Sequence, residues 1–262
     1  MTADDQVAVV TTVPSGAPAE DASVMSLVDH LAELRKRLFI SILAIVLGGV
    51  VGFILAPQII TILADPLPVR DGATKVQFLT VSGGFFLFMK ISVVVGILLA
   101  LPVILYELWA FVAPGLTEKE RKAALPWIPA AIVFFLLGTV VAWVTLPYAI
   151  AFLTSWNIQG VAETVPSAEA YYGFVTMIFL LFGAVMEFPI VLVLLSRLGI
   201  LSIERLRSSR RVVLLGIVVF AVIATPGGDP ISPLVMSGTM YLLYEFTIWM
   251  LVRSERGATS GG

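Results

Sequence analysis

The chain has no cysteine and a single histidine among its 262 residues, and only 13% of them are charged. Without cysteine there is no disulfide, thiol chemistry or thiolate metal site, and composition carries no redox address. One histidine without partners makes no metal centre, so no metal or cofactor is expected. The shortage of charge excludes more. A soluble domain carries roughly a quarter of its residues as Asp, Glu, Lys and Arg, and this chain has about half of that. Hydrophobic residues make up 59%, and the mean hydropathy is +1.01. Most of the surface must therefore meet a solvent other than water, and lipid is that solvent. The formal net charge of −2 offers no basic excess for nucleic acid.

A bilayer takes about 20 helical residues to cross. Four apolar runs reach that length: residues 38–56, 91–112, 126–146 and 174–195. Two more follow, a short one at 212–224 and one at 234–252 that carries Glu245. The short run gives only about 20 Å of helix, less than the roughly 30 Å hydrocarbon core, so it spans thinned lipid or is partly re-entrant. Spanning is the expectation, because lysine and arginine alternate with the runs. With six spans and the N-terminus inside, thirteen basic residues fall on the inner side, Arg35, Lys36, Arg37 and Arg253 among them. Only Arg70, Lys75 and Lys90 fall outside. This is the positive-inside pattern, with both termini inside. Residues 1–24 lack a basic start and an apolar core, so a disordered tail is expected there rather than a signal peptide. Residues 25–253 form the membrane domain, and 254–262 a flexible tail.

Three groups of residues could carry function. Leu27, Leu31, Leu34 and Leu38 recur at helical spacing, giving an amphipathic helix that runs into the first span. Its polar face holds His30, Glu33, Arg35, Lys36 and Arg37. Glu33 and Arg37, one turn apart, suit either a simple interfacial anchor or a binding face. His30 is expected to be a solvated residue of that face. In the next inner loop Thr117 and Glu120 have capping-box spacing, which explains Glu120 structurally. Acidic residues within the apolar runs form the third group. Glu187 lies deepest, two residues before Pro189, whereas Glu107 and Glu245 lie nearer an interface. A charge at the bilayer centre costs roughly 2.5–3.5 kcal/mol, so such a residue faces an interior, a cavity or a partner. No nucleophile–base pair or phosphate loop accompanies them, and an enzyme is not expected.

Residues 30–38 read His-Leu-Ala-Glu-Leu-Arg-Lys-Arg-Leu. Residues 102–116 and 118–121, Phe182-Gly-Ala-Val-Met-Glu-Phe-Pro189, Thr225-Pro226 and Met240-Tyr-Leu-Leu-Tyr-Glu245 follow in order. Together they resemble the TatC family of the twin-arginine protein translocase. The resemblance implies an all-α membrane protein of six helices in a cupped arrangement, the fifth and sixth short. It implies a receptor for Arg-Arg signal peptides of folded cargo in the bacterial cytoplasmic membrane. Such a receptor assembles with single-span TatA and TatB proteins into an oligomeric complex and uses the proton-motive force. Its signal-binding carboxylates map onto Glu33 and Glu120, with Arg35, Arg37 and Phe111 beside them. Glu187 maps onto the family's intramembrane acid, and Pro66 and Asp229 onto outer-loop positions. The rival reading is a proton- or ion-coupled small-molecule transporter using Glu187 and Glu107. It predicts an internal repeat, and the sequence has none.

Overall fold

The computed structural model describes residues 27–67, 76–115, 127–156, 166–197 and 199–259. These residues form eight α-helices: α1 (Leu27–Leu63), α2 (Gly83–Val112), α3 (Trp127–Thr154), α4 (Ala168–Met186), α5 (Phe188–Arg197), α6 (Ile203–Ser208), α7 (Arg210–Ala224) and α8 (Ile231–Thr259). A 3-10 turn, Ala113–Gly115, extends α2. The strand-like pairing among the described residues is a single bridge between Gln77 and Ser167. Five stretches are long and apolar enough to cross a membrane: Asp29–Leu63, Gly83–Val112, Pro129–Thr154, Ala168–Ser196 and Ile231–Arg253. The fourth is α4 and α5 read through the break at Glu187. The remaining segment, fifth in chain order, is α7, whose 15 residues reach about 22 Å.

Side-chain contacts give the direction of each segment. Arg37 near the start of α1 meets Glu107 near the end of α2, so the two run antiparallel. At the opposite end Tyr171 and Tyr172 of α4 donate hydrogen bonds to the Leu63 and Ile60 carbonyls, at 2.6 and 2.8 Å. Those carbonyls belong to the last turn of α1, where the Ile60 carbonyl also accepts the Ala64 N–H at 3.1 Å. A cavity at this Leu63 end is lined by Leu67, Leu153, Tyr171 and Gly227. It gathers the ends of α1 and α3, the start of α4 and the turn after α7. The short fifth segment therefore ends on the same side as α1 and α3.

Two boundaries differ from the sequence reading. The sixth segment is not short: α8 has 29 residues, of which Ile231–Arg253 are apolar enough to span. It also continues past residue 253 to Thr259, where a flexible tail was expected. Glu255, Arg256 and Ala258 are good helix formers and let the ladder run on once hydrophobicity has stopped.

Packing is arranged along the row of helices rather than around one centre. One cluster joins Ala56, Leu87, Leu146 and Tyr172. A second joins Ala142, Phe182, Ile217 and Met236, and a third Leu192, Ile203, Tyr244 and Leu251. α1 crosses α2 closely. A Cβ on Gly96 would sit 2.6 Å from the Ile45 carbonyl oxygen, and one on Gly52 would sit 2.7 Å from that of Ser92. Small residues let helix backbones touch where lipid supplies no hydrophobic drive. α1 buries little else and shows Phe39, Val46, Val50 and Ile54 to the surroundings.

Candidate functional site

Three turns of α1 and the last two of α2 form a polar cluster at the Glu33 end. Glu33 and Arg37 are one turn apart and share a face of α1. Arg37 donates from Nε and Nη2 to Glu33 Oε1, at 3.0 and 2.5 Å. Its Nη1 donates to Glu107 Oε2 at 3.0 Å. Glu107 is only 9% exposed, so its carboxylate depends on that guanidinium. The other Glu33 oxygen, Oε2, is shielded from solvent and has no hydrogen-bond partner among the described residues. One turn before Glu33, the His30 ring stacks on Phe111 with centroids 4.3 Å apart and planes 17° apart. His30 is therefore packed against an aromatic, not solvated as expected, because α2 extends far enough to meet it. A cavity of about 200 Å³ borders Arg37, lined also by Tyr106, Trp109, Ala110, Ala113 and Pro114.

The other anticipated residues fall elsewhere. Arg35 is exposed and makes no ion pair with the described residues. Glu120, with its capping-box partner Thr117, lies outside the described residues. Glu245 is held by Arg210, Nε to Oε1 and Nη2 to Oε2, both at 2.9 Å, with the Tyr241 hydroxyl 3.3 Å from Oε1. This fork ties the start of α7 to α8 and gives Glu245 an internal partner. Pro66 lies in the turn that closes α1, where the Leu67 N–H donates to the Ala64 carbonyl. Asp229 is 3% exposed, and its Oδ1 accepts the Ser232 N–H at 2.7 Å. It is the N-cap of α8, with Pro230 in the favoured position just after it. That signal was present in the sequence as Asp-Pro-Ile-Ser and went unread.

Glu187 stands apart. It interrupts the fourth segment between α4 and α5. Pro189 has no N–H to donate, and the backbone resumes with Ile190 and Val191 donating to the Glu187 carbonyl at 3.0 and 3.2 Å. Both carboxylate oxygens are buried, with no hydrogen-bond partner among the described residues. Beside it runs an apolar groove of about 510 Å³, lined by Ala184, Val185, Phe188, Val213, Phe220 and Met240 among others. Among the described residues no group of three or more His, Cys, Asp or Glu could hold a metal.

Fold and cluster together define a class: a multi-pass helical membrane protein presenting a guanidinium–carboxylate cluster at one end. The family is then fixed by comparison. The model of the TatC family, described as Sec-independent protein translocase protein (TatC), matches residues 29–238. The TatC protein of Carboxydothermus hydrogenoformans is 36% identical over 227 residues, covering 86% of this chain and 92% of that protein. TatCy of Bacillus subtilis is 35% identical over 235 residues, covering 89% and 91%. A crystal structure described as the twin arginine translocase receptor TatC aligns with a TM-score of 0.71 at 34% identity. The match covers 84% of this chain and 98% of that one. The chain belongs to the TatC family, a family of protein translocase components and not of enzymes.

Proposed function

We propose that this chain is the signal-peptide receptor of a twin-arginine translocase, reading an Arg-Arg pair with the carboxylates of Glu33 and Glu120. The observation that carries the reading is the Glu33 site itself: its carboxylate already takes a guanidinium fork, that of Arg37. An Arg pair offers two such forks, and a fork matches a carboxylate in a way an ammonium does not. Arg35, Arg37 and Phe111 flank the peptide site. The solved relatives described as twin arginine translocase receptors support the assignment. The Glu33 end faces the cytoplasm of a bacterial plasma membrane, with both termini on that side, a reading supported by the distribution of basic residues. Glu187 and the groove beside it meet the membrane helix of a single-span TatA or TatB partner, in an oligomeric complex. The assembly moves folded cargo on the proton-motive force. Pro66 and Asp229 hold the outer side, and residues 25–253 are the membrane domain that does this work.

Crosslinking of a photoreactive Arg-Arg signal peptide to the purified receptor tests the reading. Glu33→Ala and Glu120→Ala should each reduce crosslinking several-fold while membrane insertion stays intact. Crosslinking at the parent's level in both variants would remove these carboxylates from the site.

A further inference from the structure

The Glu33 site is occupied from within the chain. Two carboxylates, Glu33 and Glu107, share the one guanidinium of Arg37. Both bonds from Arg37 to Glu33 end on Oε1, and the buried Oε2 is left unused. An incoming arginine must therefore compete with Arg37 for Glu33. If Arg37 had no other partner, losing Glu33 would strand a part-buried cation, which is costly. Glu107 prevents that. It sits 70 residues away on α2 and holds Nη1 independently of Glu33. The cavity beside Arg37 gives the side chain room to swing towards α2. The His30–Phe111 stack joins the two helix tips.

We propose that Arg37 is an internal stand-in for the ligand's guanidinium and that Glu107 is the positioning residue that keeps Arg37 when the ligand takes Glu33. The inference rests on the reading of Glu33 as a signal-peptide carboxylate. The exchange conserves charge pairing: one guanidinium leaves Glu33 as another arrives, and no carboxylate or guanidinium of the cluster is left alone. Removing the Glu107 charge leaves Arg37 with Glu33 alone and makes it a stronger competitor.

A double-mutant cycle on the full-length receptor in detergent tests this, using a fluorescent peptide with an Arg-Arg pair. Glu107→Gln should weaken binding roughly tenfold, the scale of a lost charge-assisted pair. Glu107→Asp should restore part of it. In an Arg37→Gln background, where no stand-in exists, the same Glu107→Gln change should cost about twofold or less. If the Glu107→Gln loss is equal in both backgrounds, Glu107 acts on the peptide or on the fold and not through Arg37, and the inference fails. It fails equally if Glu107→Gln binds like the parent while Glu33→Gln does not. If Glu33→Gln itself binds like the parent, the receptor reading of Glu33 falls first. Thermal unfolding of each variant identifies any loss caused by misfolding, with Glu107→Asp as the better-folded substitute.

Discussion

Two kinds of acid in the helical segments are held in opposite ways. Near the Glu33 end, Glu33 and Glu107 share Arg37, and Glu245 has a complete fork from Arg210. Halfway along the fourth segment, Glu187 has two buried oxygens and no hydrogen-bond partner among the described residues. A carboxylate paired inside its own chain can trade one guanidinium for another at little net cost. A carboxylate with no partner in a nonpolar setting is a standing expense that only something outside the fold relieves. The first arrangement suits a site that reads a peptide. The second suits a contact completed by another membrane helix.

The comparison can be broken most severely at Glu33. Glu33→Ala frees Arg37 to pair with Glu107 alone and should cut Arg-Arg peptide capture by a factor of about ten or more, since a charge-assisted pair is lost. A smaller but global effect is expected at the helix crossing. Gly96→Val forces α1 from α2 and should cost about 1–3 kcal/mol, read as a lower thermal unfolding midpoint together with weaker capture. Glu187→Gln should behave in the reverse sense to a core defect. The desolvated charge is gone, so the unfolding midpoint should equal or exceed the parent's, while partner assembly and export of folded cargo decline. Undiminished export would return Glu187 to a structural role. The smallest effect belongs to Glu245→Gln. Its pair with Arg210 is about a third to a half exposed, so stability should fall by no more than about 1 kcal/mol, with peptide capture unchanged.

Much of this was legible in the sequence. Apolar run lengths anticipated the five helices long and apolar enough to cross a membrane, and the short run at 212–224 lies within α7. The Glu33–Arg37 pair was legible because a spacing of four residues puts both on one helix face. The Arg37–Glu107 pair was not, since it depends on how closely two helices cross. That closeness is set by Gly48, Gly52 and Gly96, whose meaning appears only when the backbones meet. Glu107 was accordingly grouped with the intramembrane acids instead of the cluster. Asp229 was legible as a cap through its proline and its serine three residues on, but was read only through its family position. The tyrosine ties at Leu63 and Ile60 are long-range and left no local signal.

The central claim is that this end of the molecule recognises forks of hydrogen-bond donors and not positive charge as such. The most direct measurement compares the affinity of the purified receptor for two signal peptides that differ only in Arg-Arg against Lys-Lys. Net charge is the same, but only arginine can bind a carboxylate through two parallel N–H donors. The account predicts that the Lys-Lys peptide binds at least about tenfold more weakly, and that Glu33→Gln removes most of this preference. Equal affinities for the two peptides would contradict it.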